Sequence, residues 1–222
     1  MGGDVDAVAI LEQMARVYAN CTTYRDSGTS TTDFLGRKPF QEKVEFKTAF
    51  RRPQDFRFEY RKKLGIAPGV DNLMITRMII HRDRSGTCSW WSVTGKEDAE
   101  SLGMAIAAAT GVSGRTAHTV PNLLMAAEIG GRGFLQDRNW TLLPESEHDG
   151  HACFRVSHKT GHEDTETLLI DKTSLLLLRI EEAKTIEGKR GRFKTERTTT
   201  YVPQFDVDIP EADLVFDAPE GK

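Results

Sequence analysis

The sequence predicts an α+β fold built around one large antiparallel sheet. Three observations carry this: an amphipathic helix at the start, paired runs of period-two alternation, and an apolar helical stretch at about residues 97–130 that interrupts them. Strands and helices do not alternate one for one along the chain, which excludes βαβ repetition and the parallel sheet it would build. No internal repeat or low-complexity linker divides the 222 residues, so they read as one domain, 1–222, carrying a helical insert.

The elements follow in order. In residues 5–19, Val5, Val8, Leu11, Ala15 and Tyr18 recur three or four apart and line one helix face, with Asp4 as N-cap. Val44, Phe46, Thr48 and Phe50 then share one side of a strand, with Glu45 and Lys47 on the other. The next run repeats this, Phe56, Phe58 and Tyr60 against Arg57, Glu59 and Arg61, which describes a sheet aromatic on one face and charged on the other. Arg52-Pro53-Gln54-Asp55 between them suits a tight turn. Leu73–Ile80 and Cys88–Val93 read as two further strands, joined at Asp83-Arg84-Ser85-Gly86. Asp98–Ala109 favours helix, ended by Gly111 and Gly114, and Val120–Ile129 a second helix with Pro121 in its first turn. Strand patterns return at Trp140–Leu143, Ala152–His158, Glu163–Asp171, Ser174–Glu182 and Arg192–Tyr201, with a last strand expected at Asp213–Asp217 after Pro210.

Composition narrows the function classes. A formal net charge of -3 supplies no overall basic footprint, so neither nucleic acid nor an anionic membrane surface is expected as partner. The longest apolar stretch, Leu102 to Val112, falls well short of the roughly 20 residues a membrane span requires, so the chain is not membrane-spanning. Met1-Gly2-Gly3-Asp4 shows neither the basic flank nor the apolar core of a signal peptide, and leaves export open. Cys21, Cys88 and Cys153 lie far apart without a CxxC; three separate buried thiols are expected, with one disulfide as the alternative.

No nucleophile elbow, P-loop or His-Glu-x-x-His is present, and no cofactor is predicted. Gly130-Gly131-Arg132-Gly133 lacks the preceding strand of a dinucleotide loop and reads as a connector. His148, His151, His158 and His162 cluster in sequence with Asp149 and Asp164, yet complete no metal signature and read as solvated loop residues.

Arg51-Arg52-Pro53-Gln54-Asp55-Phe56-Arg57-Phe58-Glu59-Tyr60 resembles the strand pair of the LolA/LolB-like periplasmic lipoprotein-carrier superfamily, in which an Arg-Pro step precedes an aromatic-alternating strand. Ala15 to Tyr24 resembles that family's leading helix and its exit into the first strand. Leu168 to Leu175 resembles its strand–turn–strand, and Val215 to Gly221 its ending, all in the family's order. The likeness spans roughly residues 5–221, closer to uncharacterised periplasmic relatives than to the carrier itself.

The resemblance implies an incompletely closed, strongly curved sheet, a half-barrel whose helices form a lid over an apolar cavity. It implies a non-enzymatic periplasmic or otherwise exported carrier, with a lipid or acylated protein as partner and a membrane-associated partner as a further one. Its ligand-binding residues would be Phe46, Phe50, Arg52, Phe56, Phe58 and Tyr60 on the sheet, with Met104, Ile106, Leu123 and Leu124 from the insert. An aromatic stripe at period two serves a filled core equally well, and a protein-interaction module with a packed interior is the alternative. Alternation alone does not separate the two.

Overall fold

The computed structural model describes residues 6–36, 38–64, 74–131, 133–136, 139–159, 164–188 and 191–219. Helix α1 (Ala7–Asn20) opens the chain, capped by Asp6, whose carboxylate accepts from the backbone N–H of Val8. Its buried face is Ala7, Ile10, Leu11, Met14 and Tyr18. Leu11 and Tyr18 lie where the periodicity puts them. Ala15 packs half-buried against the same core, while Ile10 and Met14, with their longer side chains, take the fully buried positions in place of Val8. Val5 and Asp4 lie outside the described residues.

The strands are β1 (Thr23–Leu35), β2 (Phe40–Arg51), β3 (Asp55–Leu64), β4 (Met74–Asp83), β5 (Gly86–Trp91), β6 (Gly95–Ala99), β7 (Trp140–His148), β8 (His151–Lys159), β9 (Thr165–Asp171), β10 (Leu177–Gly188), β11 (Gly191–Tyr201) and β12 (Gln204–Phe205). They form a single antiparallel sheet in the order β6-β5-β4-β3-β2-β1-β11-β10-β9-β8-β7, with β12 paired beside β1. β6 and β7 do not pair, so the sheet stays open as a half-barrel with β1 at its centre.

β1 and β6 have no counterpart in the period-two patterns. β1 reads Thr-Tyr-Arg-Asp-Ser-Gly-Thr-Ser-Thr-Thr-Asp-Phe-Leu, polar on both faces over most of its length. Its partners place it: it pairs with β2 from Thr23 to Phe34 and with β11 from Gly28 to Leu35.

The insert comprises α2 (Leu102–Thr110), α3 (Thr116–Leu124) and α4 (Ala126–Ile129), then a 3-10 turn at Phe134–Gln136. α2 begins at Leu102, later than the composition suggests, because the Ser101 hydroxyl caps it by accepting from the Met104 N–H, and Gly95–Ala99 pairs as an edge strand instead. α3 starts before its expected position, and Pro121 lies inside it. The expected strand at 213–217 is replaced by a helical turn, α5 (Glu211–Leu214), and an extended tail across the convex face. There Leu214 and Ile209 pack on Ala49, and Asp217 pairs with Arg57 at 2.5 Å. Burial of Leu214 and the Arg57 charge favour that course over another strand.

The main core lies between the concave face of the sheet and the helices. α1 approaches β7, α2 covers β4 to β6, and α3 runs between them, so the helices bridge the two open edges. None of the described helices is long and apolar enough to cross a membrane.

Candidate ligand-binding face

The period-two registers assign every aromatic of the β2–β3 pair to the concave face. Phe50 lies opposite Phe56, Thr48 opposite Phe58, and Phe46 opposite Tyr60. The Phe46 and Phe58 rings sit 6.4 Å apart, and Phe46 meets Tyr201 of β11 edge-on at 5.3 Å. Gly28 makes that contact possible. A Cβ there would stand 2.4 Å from Phe46 Cζ and 2.2 Å from the Thr200 carbonyl oxygen, so only hydrogen fits beneath the ring.

Phe50, Phe56 and Phe58 are completely enclosed, and Phe46 and Tyr60 nearly so; they share one cluster with Ile10, Leu11, Met14, Ile106, Val120 and Leu124. Ile106, Leu123 and Leu124 face inward from the insert, while Met104 is 61% exposed on the outer side of α2. The five aromatics are therefore brought together under the cover, with three of the four insert residues above them.

Two buried donors lie without partners in this wall. Met78 pairs with both Tyr60 and Trp91, so Trp91, Met78, Tyr60 and Phe46 form one row across four strands. Tyr60 Oη and Trp91 Nε1 are both buried without a hydrogen-bond partner. Burial pushes the Tyr60 phenol up to about 12, so at neutral pH it is a donor awaiting an acceptor.

Arg52 is a strut at the rim. Its Nε donates to the Cys21 carbonyl at 2.7 Å, and Nη2 to the carbonyls of Ala19 at 2.5 Å, Tyr18 at 3.3 Å and Leu124 at 3.1 Å. It therefore satisfies the carbonyl end of α1, where a cation is also favoured by the helix dipole, and ties it to the end of α3. Arg82 holds the same end of the insert, through Glu128 and the Met125 sulfur, and donates to the Gln54 carbonyl. At the opposite end Arg115 donates to Glu166 at 3.3 Å and Glu182 at 2.9 Å, and Arg197 to the Gly114 carbonyl at 3.2 Å. Sequence reasoning missed this second set, because its members come from four separated segments and are acidic or basic residues of kinds usually found on surfaces.

Asp26 lies on the concave face beside Tyr24 and Thr48. Its Oδ2 accepts from the Tyr24 hydroxyl at 2.9 Å, and Oδ1 has no well-formed partner. Burial raises its carboxyl to about 6, against the nearby polar groups of Thr48 and Tyr24.

The histidines do not converge. His148 and His151 face each other across the β7–β8 turn, with His151 Nδ1 2.8 Å from Asp171 Oδ2. His158 lies toward the other end of β8 beside Trp140, and His162 is outside the described residues. No group of three or more His, Cys, Asp or Glu among the described residues is placed to hold a metal ion. The three cysteines are unpaired, Cys21 and Cys153 buried and Cys88 half-buried.

Open space occurs on the convex side. Hollows of about 270 and 420 Å³ adjoin one another there, sharing Ser27, Lys47 and Val202 as lining. The first is bordered by Arg57 and Asp213, the second by Glu59 and Arg61.

These features define an α+β fold whose open antiparallel half-barrel sheet is covered on its concave face by helices. Among solved structures, the fold is similar to LprF from Mycobacterium bovis, with 14% identity over 96% of this chain and 97% of that one, at a TM-score of 0.50. A LolA superfamily protein from Nitrosomonas europaea matches over 96% of this chain and 99% of its own, at 10% identity and a TM-score of 0.29. MucB, in the Pseudomonas aeruginosa MucA/MucB complex, matches at 14% identity, 96% of this chain and 61% of that chain, with a TM-score of 0.43. At these identities the likeness is one of fold alone. No protein-family model matches the chain, and no curated protein matches it in sequence.

Proposed function

We propose that the chain is a non-enzymatic, exported binding or carrier protein that holds a lipid or lipoprotein acyl chain against the concave aromatic face, beneath the α2–α4 cover. The observation that carries this is the pair of buried, unpartnered donors, Tyr60 Oη and Trp91 Nε1, in one cross-strand row with Phe46 and Met78. Leaving such a group unpaired costs about 1–3 kcal/mol, which an ester or carboxyl oxygen on an acyl chain would recover. Phe46, Phe50, Phe56, Phe58 and Tyr60 would line the chain's path, Ile106, Leu123 and Leu124 would close over it, and Arg52 would hold the rim. Entry requires the cover to lift, since the aromatics are enclosed by its side chains. Each CH₂ buried returns about 0.8 kcal/mol toward that displacement.

Delipidated protein is expected to take up a fluorescent fatty acid stoichiometrically. Phe58→Glu should abolish uptake and Tyr60→Phe weaken it several-fold without unfolding the chain. A folded wild-type sample that ignores fatty-acid and lipopeptide probes alike would refute the proposal. The complete enclosure of Phe50, Phe56 and Phe58 supports a second reading, a packed interaction module whose partner surface lies elsewhere on the sheet. Stable capture of a protein partner, with no lipid in the native mass spectrum, is the result expected from it.

A further inference from the structure

At the end of the trough beyond Arg115 and Glu182, the β1–β2 and β10–β11 hairpins project side by side. β1 and β11 pair through to Leu35 and Lys194, so the two tips form one rim. The rim exposes apolar side chains as well as charged ones. Phe34 and Phe40 stack at 4.2 Å, yet Phe40 remains 51% exposed, with Leu35 at 46% and Ile186 at 40%. The rim is also the reverse of the chain in charge. The described residues within 34–43 and 184–194 include Lys38, Lys43, Lys184, Arg192 and Lys194 against Glu42 and Glu187, in a chain of net charge -3, and of these Lys43 pairs with Glu45 and Lys184 with Glu182. Lys38 and Lys194 are exposed and make no ion pair with any described residue.

We propose that these two hairpin tips dock the protein on an anionic lipid bilayer. Phe40, Leu35 and Ile186 would enter the headgroup–acyl boundary, while the lysine stems run along that apolar surface and deliver their ammonium groups to the lipid phosphates. The opposite net charge of the remaining chain orients this end toward the membrane. Charge selects the bilayer over a second copy, since a two-fold contact of tips would set like cations against each other. The inference concerns the tips alone and stands apart from what the trough holds.

Full-length protein should co-sediment with vesicles of phosphatidylcholine containing about 30% phosphatidylglycerol, weakly with phosphatidylcholine alone, and progressively less as salt is raised. Reversing two charges in Lys38→Glu/Lys194→Glu should weaken association roughly tenfold or more, at about 1 kcal/mol per surface cation. Phe40→Ser should weaken it several-fold with the charge unchanged. Both variants should keep the wild-type melting profile, and the charge reversal should keep wild-type uptake of the fatty-acid probe. Equal binding to uncharged vesicles overturns the proposal, as does vesicle binding that both variants leave intact. Failure of folded wild type to bind the anionic vesicles overturns it too, whatever the fatty-acid assay shows. A wild-type dimer in sedimentation velocity that Phe40→Ser converts to monomer assigns the tips to a second copy and equally overturns it.

Discussion

The guanidinium of Arg52 donates to the carbonyl of Leu124 at 3.1 Å, across 72 residues of sequence, while holding three carbonyls at the end of α1. One side chain thereby joins the β2–β3 turn, the leading helix and the helical insert. The geometry gives Arg52 a local task, keeping cover and helix in register over the sheet.

Arg52→Ala should destabilise the chain by about 2–3 kcal/mol, since charge-assisted donors are lost and partly buried carbonyls are left without partners. Arg52→Lys should recover little of this, because an ammonium lacks the planar fork that reaches both helices. Urea denaturation of the three proteins measures both effects. Wild-type stability in Arg52→Ala would show that the strut carries no energy.

Asp26 makes stability depend on pH in the mildly acidic range. Its carboxyl rises from about 3.8 unfolded to about 6 folded, so the native state prefers the protonated form. The wild type should lose stability as pH rises from about 4 through 6, and remain penalised above that. Asp26→Asn keeps an acceptor for Tyr24 and removes the charge. It should exceed the wild type by up to about 3 kcal/mol at pH 7.5, the gap closing below pH 4. Thermal melts across that range provide the check.

Glu59 behaves oppositely on the convex face. Burial disfavours its charge, but donation from Arg77, Arg57 and Arg61 outweighs burial and holds the carboxyl down to about 2. Its contribution is present above the unfolded value near 4.5 and is lost as pH falls toward 2. Glu59→Gln should cost about 2 kcal/mol at pH 7, leaving Arg57 buried with less compensation, and the two proteins should converge toward pH 2. Equilibrium unfolding at pH 7 and pH 3 distinguishes this from a constant packing loss.

Gly28→Ala should destabilise by about 2–3 kcal/mol, because the new methyl meets both the Phe46 ring and the Thr200 carbonyl. Adding Phe46→Leu should restore only part of that loss, since the backbone carbonyl stays in place. Full restoration would assign the whole strain to the ring.

Legibility in the sequence followed the range of the forces. β2 and β3 show their inner faces because alternation is local, and the turns at Arg52–Asp55 and Asp83–Gly86 announce themselves through Pro, Asp and Gly. β1 stayed hidden although it is the central strand, since Ser27, Thr29 and Thr31 on one face resemble Asp26, Ser30 and Thr32 on the other. Its order comes from β2 and β11, elements that no short window joins. The C-terminal tail misleads for the same reason, as Leu214 gains its burial from Ala49 on a distant strand.

By itself, then, the sequence determined an α+β chain whose antiparallel strands carry aromatics on one face, and it brought Phe46, Phe50, Phe56, Phe58 and Tyr60 to a common surface. Tertiary structure decided what that surface meets. It enclosed the aromatics under α1 to α4, left Tyr60 Oη and Trp91 Nε1 unpartnered, turned Met104 outward and gathered cations with exposed Phe40 at one rim. Periodicity fixes which side chains share a face, because the pleat repeats every two residues. Whether a face is filled, polar or open depends on which distant segments pack on it, and that is settled only when the whole chain closes.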